Sequence, residues 1–132
     1  PERDGTARVG LLDFQDAVMG PAAFDVASLL QDARVDVSEK MEIALLSRYT
    51  RARRSMNTTF DAPAFARSYA TLATQRASKI LGIFARLERR DRKPQYLRHL
   101  PRVSTYLQRS LAHPALASLA AWYRANVPPV KV

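Results

Sequence analysis

The chain predicts a mainly α fold with a short β-hairpin arm at its N-terminus. Three observations lead there. Apolar residues recur at a period near 3.6 between residues 65 and 87, and recur again between 103 and 111. Capping and breaking residues such as Ser38, Asp61, Pro63, Pro114 and Pro128 divide the chain into helix-length pieces. One stretch alone, residues 8–12, reads as a strand, and an Arg3-Asp4-Gly5 turn precedes it.

The strand at 8–12 reads as the second arm of a hairpin whose first arm lies before Pro1, so the chain is expected to be a piece of a longer protein. Gly20-Pro21 breaks the backbone. A short helix is predicted over 24–31, with Phe24, Val26, Ala27, Leu29 and Leu30 dense enough in apolar character to imply burial on most sides. Asp36 or Ser38 can cap the next helix, with Met41, Leu45, Leu46 and Tyr49 facing inward, and it stops before Met56-Asn57-Thr58-Thr59. Asp61 caps a long helix that tolerates Pro63 in its first turn. Its stripe is Phe65, Tyr69, Leu72, Ala73, Ile80, Ile83, Phe84 and Leu87, and it runs to about residue 89, on the order of 40 Å at 1.5 Å per residue. Gly82 inside it costs about 1 kcal/mol against alanine and implies a close helix crossing. Tyr96, Leu97 and Leu100 lead into a helix carrying Val103, Tyr106, Leu107 and Leu111. His113-Pro114 opens a last helix with Leu116, Leu119, Ala120, Trp122 and Tyr123, and Val127-Pro128-Pro129 ends it. At this spacing the aromatic residues read as core, not as a base-stacking platform.

A length of 132 residues suits one domain. The absence of cysteine excludes a disulfide framework and thiolate metal sites. No apolar run approaches the ~20 residues of a membrane helix. The formal charge of +9 has two readings: attraction of an anionic partner, or Arg-rich helix faces in solvent. The tightest cluster, Arg48, Arg51, Arg53 and Arg54, sits on a helix tail, where cations also complement the helix dipole.

The candidate chemistry begins at Asp13, a carboxylate at the end of an uncharged strand. A hard cation such as Mg²⁺ takes oxygen ligands and usually one or two protein carboxylates, and a carboxylate leaving a buried strand needs a partner. The alternative is a turn or cap aspartate. Gln15 and Asp16 in the same turn can face a ligand or bond the local backbone. Asp25 opens an apolar helix, where a carboxylate satisfies free backbone N–H groups. Further on, Gln75, Arg76 and Lys79 interrupt the apolar stripe of the long helix, and a buried cation there requires a carboxylate or an anionic ligand. His99 and His113 lack the acidic company of a metal site. No Gly-rich phosphate loop, nucleophile elbow or zinc signature occurs.

The run Leu12-Asp13-Phe14-Gln15-Asp16-Ala17, then Gly20-Pro21, then Phe24-Asp25-Val26-Ala27-Ser28-Leu29-Leu30-Gln31-Asp32-Ala33-Arg34, resembles the aminoglycoside phosphotransferase superfamily. Within it, the segment Lys79-Ile80-Leu81-Gly82-Ile83-Phe84-Ala85-Arg86-Leu87, with Arg90-Asp91, Lys93-Pro94, Tyr96-Leu97 and Leu100-Pro101-Arg102-Val103, is most similar to bacterial anomeric kinases of N-acetylmuramate and N-acetylglucosamine. The resemblance implies the C-terminal, helical part of a protein-kinase-like C-lobe. Residues 1–34 would form the metal-binding turn and buried helix, 35–127 a helical substrate subdomain, and 128–132 a tail. Asp13 would hold Mg²⁺, with ATP as co-substrate. Asp25 would brace the catalytic loop. Gln15, Asp16, Gln75, Arg76 and Lys79 would lie toward the sugar. Phe14-Gln15 stands where protein kinases have Phe-Gly, a departure normal in this superfamily. The catalytic base, its loop and the nucleotide-binding lobe would precede Pro1, so this piece alone is expected to be inactive.

The resemblance thus implies a cytoplasmic, ATP-dependent sugar kinase of cell-wall recycling, whose partners are its sugar, ATP and the N-terminal part of the same protein. Two alternatives stay open: a kinase for another small hydroxyl substrate, aminoglycoside or choline-like, and a non-catalytic basic helical module binding nucleic acid. A cationic substrate calls for an acidic pocket, which the basic stretch 75–86 does not offer.

Overall fold

A computed structural model describes Gly5 and residues 18–128 of the chain. The turn with Asp13, Gln15 and Asp16, expected to bind a metal, and the expected hairpin arm at 8–12 lie outside the described residues. Five α-helices follow: α1 (Ala22–Leu30), α2 (Glu39–Met56), α3 (Ala62–Asp91), α4 (Leu100–Leu111) and α5 (Ala117–Asn126). Short 3-10 turns, Pro94–His99 and Pro114–Leu116, link the last three. Among the described residues there is no strand, and no helix is long and apolar enough to cross a membrane.

The predicted caps form. Ser38 Oγ accepts from the Met41 N–H at 3.2 Å, and Asp61 Oδ1 from the Ala64 N–H at 2.9 Å, each satisfying a donor that the first helical turn leaves free. Pro63 sits in the first turn of α3, where its missing N–H costs nothing. The 30 residues of α3 span about 45 Å and make it the axis of the fold. It ends at Arg92, a non-glycine residue in the left-handed conformation (φ 54°), while the Lys93 N–H bonds the Leu87 carbonyl.

Two seams run along α3. In its first half Tyr69 and Ala73 pack against Ala23, Ala27 and Leu30 of α1. Farther along, Ala77 and Phe84 pack against Ala33, Val103 and Leu107, with Tyr96, Leu100 and Tyr123 around them. The loop between α1 and α2 is tied to both. Asp32 Oδ1 accepts from the Arg34 and Val35 N–H groups, and the Val37 N–H donates to the buried Tyr106 hydroxyl at 3.0 Å. From α4, Arg102 reaches the Ala33 carbonyl and the Asp36 carboxylate.

Several expectations are corrected. Among the described residues α1 is covered on one face only: Ala23, Ala27 and Leu30 are buried while Phe24 and Leu29 are exposed. It also begins at Ala22, behind Pro21, so Asp25 stands in its first turn without making a cap hydrogen bond. In α2 the buried residue is Glu42, and Met41 and Leu45 are exposed. Leu46 packs on the core and Tyr49 stacks on Phe65 as expected, but Glu42 turns inward beside the exposed Met41 because its carboxylate meets polar partners, whereas the sequence pattern counts only apolar ones. Leu119 and Trp122 of α5 are also exposed and are not core. Gly82 faces open space, with nothing within 4 Å of where a side chain would begin, so no close helix crossing explains it. The arginines at the α2 tail are all exposed, and Arg53 lies over the Phe60 ring.

Candidate functional site

The described residues do not bring the expected substrate-facing side chains together in one pocket. Gln75 and Lys79 are exposed on α3. Arg76 is half-buried and has a protein partner: its Nη1 donates to the Gln31 carbonyl at 2.9 Å, at the end of α1. A cation there satisfies a carbonyl that the last helical turn leaves free and complements the dipole. Burial pulls the Arg76 pKa down, and nearby Asp32 opposes that shift. Asp32 itself is raised by burial, yet the Arg34 and Val35 N–H groups with the Arg34 and Arg76 charges hold it below the ordinary carboxylate value. Asp25 is exposed on α1. His99 is shifted down by burial and by the charges of Arg98, Arg102 and Arg34.

The polar residues that do converge went unread in the sequence. Glu42 on α2 is 6% exposed and is surrounded by three other helices. Its Oε1 accepts from Gln31 Nε2 at 2.8 Å and from the Tyr69 hydroxyl at 2.7 Å. Gln31 Nε2 also donates to Ser110 Oγ at 3.2 Å. Arg109 Nη1 of α4 lies 2.9 Å from Glu42 Oε2, and its guanidinium stacks over the Tyr106 ring. Burial, and then the Glu42 carboxylate, push the Tyr69 phenol far above its usual range, so it stays a proton donor. A buried carboxylate requires such pairing and hydrogen bonding to offset the water it has lost.

This cluster forms the polar side of a cavity of about 340 Å³ between α2, α3 and α4. The other side is apolar: Ile43, Leu46, Phe65, Ala66, Tyr69 and Ala70. Its size and mixture of apolar wall with a few fixed polar groups are those of a small-molecule pocket. A second hollow of about 420 Å³ lies between α4 and α5, lined by residues such as Leu107, Leu111 and Tyr123. Among the described residues, it contains none of the buried polar atoms that lack partners.

Among the described residues no three His, Asp or Glu side chains converge as a metal site.

Comparison with known proteins supports the family read from the motifs. Residues 3–58 match the phosphotransferase enzyme family. Over 128 residues, 97% of this chain, the sequence is 50% identical to a Caulobacter vibrioides protein named N-acetylmuramate/N-acetylglucosamine kinase, 34% of which is covered. Proteins of the same name from Neisseria meningitidis and Pseudomonas aeruginosa are 40% and 42% identical, over 86% and 83% of the chain and 35% and 33% of their own lengths. The chain thus spans about a third of the length of the curated relatives it matches.

Proposed function

We propose, for a chain whose residues 3–58 carry the phosphotransferase family match, that the full-length protein is an ATP-dependent sugar kinase. It would phosphorylate the anomeric hydroxyl of N-acetylmuramate or N-acetylglucosamine in cell-wall recycling, in the cytoplasm. The observation that supports this most is 50% identity sustained over 97% of the chain to a protein of that name. Similarity of that extent covers the helical core as well as the turn with Asp13, so it reaches beyond residues 3–58 that match the phosphotransferase family.

In this reading Asp13 holds Mg²⁺, which neutralises charge developing on the transferred phosphoryl group when it is bound. The rest of the task is positioning. Asp25 sits on the uncovered face of α1, where it can brace the segment that carries the base. No residue of this chain is proposed as that base. Arg76 holds the end of α1 in place, so its contribution is to the frame; Gln15, Asp16, Gln75 and Lys79 remain the candidates for sugar contact from the family resemblance.

The test is Asp13→Ala in the full-length protein. Turnover of N-acetylglucosamine with ATP should be almost abolished while the melting midpoint stays near that of the unmodified protein. Near-normal turnover in this variant would sink the assignment of Asp13, and no turnover in the unmodified protein would sink the kinase reading.

A further inference from the structure

The cavity between α2, α3 and α4 is chemically unfinished. Gln31 Nε2 is committed to Glu42 and Ser110, which leaves Gln31 Oε1 buried with no donor, in a residue only 4% exposed. Arg109 Nε is likewise buried with no acceptor, while its Nη1 is paired with Glu42 Oε2 at 2.9 Å. Gln31 and Arg109 both line the cavity, and Leu46, Phe65 and Tyr69 face them. Unpaired buried polar groups are costly, so an occupant that pairs them gains affinity by doing so.

Such an occupant must offer an acceptor to Arg109, a donor to Gln31 and a small apolar body to the aromatic and aliphatic wall. A carboxylate offers no donor and would lie beside the Glu42 charge. An ammonium offers no acceptor and would face Arg109. Water can serve both polar groups but leaves the apolar wall without contacts. A secondary amide ending in a methyl group meets all three requirements: its carbonyl accepts, its N–H donates and its methyl packs.

We propose that this cavity receives the acetamido group of an N-acetylated amino sugar. The proposal rests on the kinase reading and deepens it, because it locates the feature that separates these sugars from their unacetylated counterparts. Ala66 and Ile43 stand on the apolar side from two different helices, so a larger residue at either shortens the cavity without touching the polar cluster.

Calorimetric titration of the full-length protein with N-acetylglucosamine and with glucose tests this. Ala66→Phe should lose roughly tenfold more affinity for N-acetylglucosamine than for glucose, the equivalent of about 1.4 kcal/mol. Ile43→Phe should give the same selective loss, which keeps the test decisive if one variant melts early. Unchanged affinity for N-acetylglucosamine in both variants, or equal loss for both sugars, overturns the proposal. Selective binding by a protein that transfers no phosphate to the sugar keeps the cavity assignment and overturns the kinase reading instead.

Discussion

The two seams of α3 join helices by different means. Toward α1 three alanines, Ala23, Ala27 and Ala73, meet alongside Leu30 and Tyr69, and beside them lies a polar cluster of Glu42, Arg109, Gln31 and Tyr69. Toward α4 the contacts are large and apolar: Phe84, Val103, Leu107 and the rings of Tyr96 and Tyr123. Apolar area stabilises in proportion to what is removed from water and tolerates small displacements. A buried ion pair stabilises little over an apolar pair of the same shape, yet losing one partner is costly. The second seam therefore holds the bundle together, while the first fixes where α2 and α4 stand relative to each other, and with them the walls of the cavity.

The largest expected effect exploits that asymmetry. Glu42→Ala leaves Arg109 as an uncompensated buried charge and the Tyr69 hydroxyl without its acceptor, and it should cost about 3–5 kcal/mol in urea unfolding. Replacing both charges, as in Glu42→Leu with Arg109→Met, should recover most of that loss, because the apolar pair avoids desolvating two ions. If the double variant is no more stable than the single one, the cluster is worth more than an apolar seam and the contrast between the two halves of α3 is wrong.

A middle effect is expected where the seams meet. Tyr106 is 2% exposed, accepts from the Val37 N–H and donates to the Val35 carbonyl, so it ties the loop after α1 to the second seam. Tyr106→Phe keeps the packing and leaves one backbone N–H unpaired. It should cost about 1–3 kcal/mol. Hydrogen exchange should rise at Val37 and nearby in the 31–38 loop, and leave the Phe84 region unchanged. Equal exchange throughout would mean the loop is held by Arg102 and Asp32 alone.

The apolar residues of both seams were readable in the sequence and the polar cluster beside the first was not, for a reason visible in single residues. Val103, Tyr106, Leu107 and Phe84 are apolar or aromatic at a period of 3.6 and are buried as that period predicts. Glu42 breaks the rule: it is a charged residue between apolar Met41 and Ile43, and it alone of the three is buried. Its partners come from three other helices or helix ends, and local spacing cannot show which carboxylate will meet them. The cap residues Ser38 and Asp61 were legible because capping is local chemistry. Arg76 was half-legible: the interrupted stripe signalled that a cation needed a partner, but not that the partner would be the Gln31 carbonyl. The candidate metal turn is legible as Asp13 and a family resemblance, and it lies outside the described residues.

The smallest expected effect lies at the far end of α3, where the second seam closes with a strained joint that the first lacks. Arg92 adopts φ 54° at the helix C-terminus, the one described non-glycine residue with positive φ. A side chain in the left-handed region costs roughly 1–2 kcal/mol, whereas glycine takes that conformation freely but loses about 0.5–1 kcal/mol more chain entropy on folding. The first quantity exceeds the second. Arg92 is exposed and donates to no acceptor among the described residues, so little else is lost with its side chain. Arg92→Gly should therefore raise stability by about 0.5–1 kcal/mol, read as a higher urea midpoint with an unchanged slope. A lower midpoint would mean that the guanidinium makes a contact worth more than the strain, and that the second seam depends on charge as well.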